Sequence, residues 1–250
     1  MSHIPKRALV YYCPYTLPDQ HPLEHVHQVA REGCSGQIAL EKESSGTCKK
    51  KNSQPYSSQT VLQLLGLFGA SDIKSEFKQR FNDMSLAVVS NDPDTVQMAQ
   101  QQLGCHCQGI APQLPVEQDV VFVDFTGYSD VDAWSTLDTL VGQQARPDTI
   151  QCIISTSSTE ETTDSHHQPW WDTIVPRQSH VMKNGEPLKE AVQDQTLVYA
   201  YLHVGSSRRD GVSAFNAADI KSKGSNGTIL AWHLLAEIGH KLGFVPKYGA

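Results

Sequence analysis

The sequence lacks any apolar run long enough to cross a membrane. None of the apolar stretches in its 250 residues approaches the roughly 20 that a spanning helix requires. The first residues, Met1–Lys6, also lack the apolar core of a signal peptide. We therefore expect a cytoplasmic protein, or a cytoplasmic fragment of a larger one, with no membrane span.

Positive charge is also scarce. The chain carries 20 Lys and Arg against 27 Asp and Glu, which gives a formal net charge of −7 and a pI near 5.8. This balance argues against a broad nucleic-acid-binding surface. The one basic run, Lys49–Lys51, lies among Ser, Gly and Asn residues and is typical of a solvated loop.

Several catalytic and metal-binding signatures are missing. The six cysteines form no C-x-x-C pair, and neither a G-x-S-x-G elbow nor an H-E-x-x-H motif occurs. Cys105-His106-Cys107 could place two sulfurs on one strand face, but no second ligand pair lies nearby in sequence. We favour structural cysteines over a metal site there, and the absent motifs disfavour serine hydrolases and zinc proteases.

What is present is an alternation of strand-like and helix-like segments. The predicted strands are 7–13, 37–40, 85–90, 105–111, 119–124, 149–155, 180–183 and 196–204. The predicted helices are 23–32, 72–81, 93–103, 130–141, 187–192 and 228–242. Residues 59–68 suit either a strand or a helix, and 41–58 are polar and predict an exposed loop.

This alternation predicts a three-layer α/β sandwich with a mostly parallel sheet, flavodoxin-like or Rossmann-like. The pattern becomes regular only from residue 85. It therefore suggests an N-terminal α/β segment, 1–84, which could be a second half of the same type, followed by a main α/β domain, 85–250.

The most informative stretch is Asp119–Asp124, where four apolar residues lie between two aspartates. An unbroken Val/Phe run of this kind predicts a strand buried on both faces in the middle of a parallel sheet. It ends in a carboxylate followed by Phe-Thr-Gly, a turn signal. Because chemistry in open α/β sheets lies beyond the carboxyl ends of the strands, Asp124 is the first candidate functional residue.

Residues 85–194 resemble a response-regulator receiver domain, in the atypical form found beside hybrid sensor kinases. The resemblance maps the phospho-accepting aspartate onto Asp124, at the end of the third strand of that stretch. The magnesium-binding acidic pair maps onto Ser90 and Asn91, so Asp92 is the one carboxylate left to hold the metal.

The same resemblance implies a hydroxyl residue at Ser155 or Thr156, and a lysine, Lys183, near the phosphoryl group. The family's second helix has no counterpart, because only Pro112–Gln118 separates the second and third strands. The loss of this helix and of the acidic pair implies a receiver-shaped signalling or protein-interaction module with weak or absent phosphorylation and a protein partner.

An alternative from another functional class is a nucleotide-cofactor enzyme. Gly69, Ser71 and Lys74 form a degenerate G-x-G-x-x-G loop that could contact the pyrophosphate of NAD(P) if it joins a strand to a helix. A methyltransferase binding S-adenosylmethionine near Ser90 and Asp124 is a second version. Both require Gly69 in a strand-to-helix turn facing Asp124, whereas the receiver interpretation requires residues 59–81 to be helices outside the sheet.

Overall fold

Within the described part of the chain, the main sheet is mixed and has eight strands, in the order β10-β2-β9-β6-β1-β5-β3-β4. The computed structural model describes residues 4–17, 22–41, 56–157, 182–183, 186–187 and 192–246. All neighbouring strands of this sheet are parallel except those beside β9, which runs antiparallel to both β2 and β6. The predicted mostly parallel α/β fold is confirmed.

The strands of this sheet are β1 (Arg7–Cys13), β2 (Cys34–Glu41), β3 (Leu86–Ser90), β4 (His106–Gln108), β5 (Val120–Asp124), β6 (Thr149–Thr156), β9 (Val192–Leu202) and β10 (Thr228–Leu230). A separate two-stranded ribbon pairs β7 (Met182–Lys183) with β8 (Glu186–Pro187). The two central strands, β1 and β5, are buried almost throughout, as continuous apolar runs predict.

The helices are α1 (Glu24–Glu32), α2 (Tyr56–Leu64), α3 (Ile73–Phe81), α4 (Pro93–Gln97), α5 (Asp130–Gln143), α6 (Ala217–Lys223) and α7 (Ala231–Lys241), and α4 continues into a π-helical segment, Met98–Leu103. Polar side chains cap several of them. Asp72 accepts a hydrogen bond from Ser75 N at the start of α3, and Ser129 accepts one from Asp132 N at the start of α5. These caps satisfy amide groups that have no partner within the helix.

Helices cover both faces of the sheet, so the molecule has three layers. Helices α2, α3 and α7 and the π-helical segment pack on one face, together with Val10, Phe122 and Ile154. Helices α1, α5 and α6 pack on the other face, around the fully buried Trp134. Burial of apolar surface on both faces is the main stabilising contribution in a fold of this kind.

The first strand of the chain lies at the centre of the sheet. Strand β1 pairs with β5 on one side and with β6 on the other. Without β1, the order β4-β3-β5-β6 would match the order 2-1-3-4 of the first four strands of a flavodoxin-like sheet. Strand β1 is inserted between β5 and β6. Strands from both sides of the boundary expected at residue 84 are therefore interleaved in one sheet.

Two predicted helices differ from the structure, and one ambiguous stretch is now defined. The ambiguous stretch 59–68 is helical up to Leu64, in α2. Within the predicted helix 187–192, Pro187 and Val192 belong to strands, whereas 188–191 lie outside the described residues. The predicted helix 228–242 begins as edge strand β10 and becomes helical only at Ala231. No helix in the described ranges is long and apolar enough to cross a membrane.

Candidate functional site at the carboxyl edge of the sheet

Asp124 ends β5 at the centre of the carboxyl edge, and its side chain is fully buried. Its Oδ1 accepts hydrogen bonds from the backbone N and the hydroxyl of Thr126, at 3.0 and 2.6 Å. Its Oδ2 accepts a hydrogen bond from Ser90 Oγ at 3.0 Å. The carboxylate thus joins the ends of β3 and β5 and is not exposed to solvent.

Burial raises the pKa of Asp124, because removal from water penalises the ionised form. Hydrogen bonds from Thr126 and Ser90 act in the opposite direction but do not cancel the effect of burial. A nucleophilic carboxylate must be ionised and must reach the incoming phosphoryl group. The burial of Asp124 opposes both requirements.

Asp92, the residue expected to hold magnesium, caps α4. Its Oδ2 accepts hydrogen bonds from Thr95 N and Thr95 Oγ1, both at 2.9 Å, and Pro93 follows in the first helical turn. Ser90 Oγ donates to Asp124 and accepts from Asp92 N at 3.0 Å. Ser90 Oγ is thus occupied by two protein partners, and Asp92 is a single half-buried carboxylate. This edge therefore lacks the acidic pair that would hold the magnesium ion of a working receiver.

The loop after β1 lies across the same edge. Tyr15 donates hydrogen bonds from its hydroxyl to the carbonyl oxygens of Thr126, at 3.3 Å, and Tyr128. Ser155 Oγ, at the end of β6, donates to Tyr15 O at 2.8 Å. The loop that follows β5 approaches the loop that follows β3 so closely that a Cβ at Gly127 would lie 2.9 Å from Asn91 C. The edge is held together by its own polar groups.

Thr156 does not meet Asp124. Its hydroxyl donates to Pro14 O at 2.8 Å. Tyr12 pairs with both Asp124 and Ile154, so Thr156 lies two strands across and two residues further along than Asp124. From ordinary strand spacings, the two Cα atoms are about 12 Å apart. The inserted strand β1 therefore separates two residues that the receiver resemblance placed together.

Lys183 is also elsewhere, so its predicted place beside Asp124 is wrong. Its Nζ forms an ion pair with Glu41 Oε1 at 2.9 Å and lies 4.1 Å from the centroid of the Trp232 ring. Glu41 ends β2, which is four strands from β5, or about 19 Å at ordinary strand spacing. The catalytic set Asp124, Thr156 and Lys183 is not assembled.

Gly69 and Ser71 do not form a dinucleotide loop. Both lie in the connection between α2 and α3, where Gly69 adopts a positive φ of 81° and both residues are exposed. Because two helices flank the turn, no strand directs it toward the carboxyl edge. The cofactor-binding role predicted for Gly69 and Ser71 in an NAD(P) site therefore does not fit the structure, whereas Ser90 does lie beside Asp124.

No group of three or more His, Cys, Asp or Glu side chains that could hold a metal ion occurs in the described part of the chain. Cys105 and Cys107 are half-buried, and burial raises the pKa of the Cys105 thiol to about 11.

Sequence reasoning missed Tyr15 and the role of Thr126. The sequence did contain a signal for Thr126, since an Asp side chain often accepts a hydrogen bond from the backbone N–H two residues later. Tyr15 had none, because its partners lie in a distant loop.

No family profile matches the sequence, and no curated protein matches it significantly. Solved structures do share the fold. The PH0037 protein from Pyrococcus horikoshii is 12% identical, with full coverage of both chains and a TM-score of 0.60. A cofactor-independent phosphoglycerate mutase from Thermoplasma acidophilum is 9% identical, with a TM-score of 0.52 over 95% of this chain and 100% of its own. At these identities the likeness establishes the α/β fold alone.

Proposed function

We propose that the chain is a receiver-like signalling module that binds a protein partner without accepting a phosphoryl group. The observation that carries the proposal is the burial and hydrogen bonding of the Asp124 carboxylate. Its position at the end of a central strand is the acceptor position of the receiver resemblance, yet its carboxylate is buried and takes three hydrogen bonds. In this role Asp124 fixes the carboxyl edge instead of reacting there.

The opposite edge of the sheet offers surface for a partner. Among the described residues the exposed large aliphatic side chains are Ile4, Val116, Val131 and Val204. Ile4 precedes β1, Val116 precedes β5 and Val204 follows the antiparallel β9, so these three lie at the amino edge. Val131, at the start of α5, lies at the carboxyl edge. We assign the partner contact to this edge because three of the four exposed aliphatic side chains of the described residues lie there.

The similarity to a phosphoglycerate mutase raises a second activity to test. Fold alone does not carry an activity, and the described residues offer no metal cluster for a metal-assisted phosphoryl transfer. Phosphoglycerate turnover is therefore measured alongside phosphoryl transfer.

The first experiment tests phosphoryl transfer. The protein is incubated with acetyl phosphate and magnesium, and its mass is measured by intact mass spectrometry. A parallel sample is incubated with phosphoglycerate and magnesium and assayed for turnover. We expect no mass increase of one phosphoryl group and no turnover. A phosphoryl adduct that disappears in Asp124→Asn would overturn the proposal, and so would turnover of phosphoglycerate.

The second experiment tests the partner. Wild-type protein, the double variant Ile4→Asp/Val116→Asp and the matched control Val131→Asp are each cross-linked in extract of the source cells. We expect one protein to cross-link to the amino edge of the wild type and of the control. The yield of this cross-linked product should fall at least tenfold in the double variant. Identical cross-linking by all three would contradict the proposed surface.

A further inference from the structure

A cavity of about 230 Å³ lies between α7 and the sheet, on the face opposite α1 and α5. Its main walls are Ile150, Cys152, Tyr199, Tyr201, Ile229 and Ile238. Cys152 pairs with Tyr201 in the sheet, close to the amino ends of the parallel strands. The cavity is therefore separate from the carboxyl edge, where Asp124 lies.

The size and the walls of the cavity suit an aromatic guest. An engineered cavity of about 150 Å³ takes up benzene, so this larger one has room for a second ring. Two tyrosine rings and aliphatic side chains line it, and such walls favour flat apolar molecules.

One wall is fixed by the backbone around it. A Cβ at Gly36 would lie 3.0 Å from Tyr199 Cε1 and 2.7 Å from Gly227 O, so only glycine leaves room for the ring. Strand β2, which carries Gly36, thus holds the Tyr199 ring in place at the cavity wall. A preformed wall lowers the cost of binding, because the side chain is already ordered.

A polar group lies inside the cavity. The Tyr199 hydroxyl and the Asn226 side chain, both at the wall, share a hydrogen bond. Asn226 Oδ1 also accepts from Cys34 Sγ at 3.1 Å. Burial raises the pKa of Tyr199, so this hydroxyl stays neutral near pH 7. A guest can exchange a hydrogen bond with this pair without bringing a charge into the cavity.

Charges at the mouth nearly balance. Glu237 and Lys241 lie one helical turn apart on the exposed side of α7, and Lys241 Nζ is 4.9 Å from the centroid of the Tyr201 ring. An anionic guest would face Glu237 and the negative end of α7, and a cationic guest would face Lys241. Neither sign of charge is favoured over the other.

We infer that this cavity binds a small neutral aromatic molecule of one or two rings that carries one hydrogen-bonding group. The rings pack between Tyr199 and Tyr201, and the polar group meets the Tyr199–Asn226 pair. The apolar walls, and not the charged mouth, set the preference.

Isothermal titration calorimetry with indole, on the full chain, tests the inference. Its charged relatives, indole-3-acetate and tryptamine, are titrated alongside. We expect saturable one-to-one binding of indole, with each charged relative at least tenfold weaker. Absence of binding by the wild type, or tighter binding of either charged relative, would overturn the inference.

Matched variants locate the binding site. Cys152→Leu places extra methyl groups inside the cavity, and Cys107→Leu makes the same change on edge strand β4. We expect a tenfold or larger loss of indole affinity for Cys152→Leu and less than a twofold change for Cys107→Leu. If Cys152→Leu does not fold, Ile229→Trp blocks the cavity from a half-buried position. Unchanged binding by a folded, blocked variant would show that indole binds elsewhere.

Discussion

The guanidinium carbon of Arg80 lies 3.6 Å from the centroid of the Trp232 ring. Arg80 also donates hydrogen bonds to Gly66 O and to Trp232 O, the latter at 3.1 Å. One side chain of α3 therefore ties the end of α2 to the start of α7. This contact organises the helical layer on one face of the sheet.

Arg80→Ala should destabilise the protein by about 2–3 kcal/mol, because it removes a partly desolvated cation–π contact and two hydrogen bonds to carbonyl groups. Urea denaturation measures the loss of unfolding free energy. Lys78→Ala, an exposed cation on the same helix, should change it by less than about 0.5 kcal/mol. Equal losses in the two variants would mean that the Arg80 contact contributes little.

Asp124→Ala should lower the unfolding free energy by about 2 kcal/mol, because it leaves the buried Thr126 N–H and the Ser90 hydroxyl without their acceptor. Asp124→Asn should cost much less. Its oxygen can keep the Thr126 bonds while its amide donates to Ser90 Oγ. Chemical denaturation of both variants checks the order, and a larger loss for Asn than for Ala would contradict it.

The stability of the wild type should depend on pH through Asp124. The raised pKa means that the native state holds this proton more tightly than the unfolded chain does. The stabilisation from protonated Asp124 is therefore fully present below the ordinary carboxyl pKa of about 4. It is lost as pH rises through the raised pKa of Asp124 in the native state. The difference in unfolding free energy between wild type and Asp124→Asn, measured from pH 3 to 8, should fall with rising pH in that window. A flat difference would contradict the buried, ionisable state.

Protonation of His27 should destabilise the native state, whereas protonation of Asp124 stabilises it. Burial lowers its pKa, and its Nδ1 accepts a hydrogen bond from Phe215 N at 3.2 Å, which requires the neutral ring. The native state disfavours the protonated form, so this stabilisation is fully present above the unfolded pKa of about 6.5 and is lost as pH falls from there through the lowered pKa of the native state. Exchange of the Phe215 amide hydrogen should accelerate relative to His27→Gln as pH drops from 7 to 5, after correction for intrinsic exchange rates.

Gly33→Ala should be strongly destabilising, by about 3 kcal/mol or more, since overpacking against fixed backbone forces the chain to move. A Cβ there would lie 2.2 Å from Tyr201 O and 2.5 Å from Val29 O. Gly69→Ala has nothing within 4 Å and bears only the strain of a positive φ, about 1 kcal/mol. Thermal melts of the two variants compare close contact with backbone strain, and similar melting temperatures would contradict this distinction.

The local signals in the sequence predicted most of the elements. The unbroken apolar runs of β1, β3 and β5 indicated buried strands, and Asp92-Pro93 marked the start of a helix. Edge strand β10 was predicted as part of a helix because two of its residues, Ile229 and Leu230, continue the apolar pattern of α7. Such short segments are assigned by pairing with a neighbouring strand, which no local pattern reveals.

The site was harder to predict for the same reason. The position of Asp124 at the end of a buried central strand follows from that strand alone, and this part of the prediction is confirmed. The burial of its side chain was not predicted. The partners expected from the receiver resemblance, Thr156 and Lys183, depend on the order of distant strands. The insertion of β1 moves Thr156 away, and the pairing of Lys183 with Glu41 fixes it near β2.

The central position of β1 also has a consequence for the order in which the chain can fold. Ala8 pairs with Val120 on one side and Ile150 on the other, so β1 is synthesised more than 100 residues before either of its neighbouring strands. Contacts this distant in sequence slow folding and leave an apolar strand exposed on the ribosome. A nascent chain that ends before β6 has emerged must therefore depend on chaperones or risk aggregation through β1.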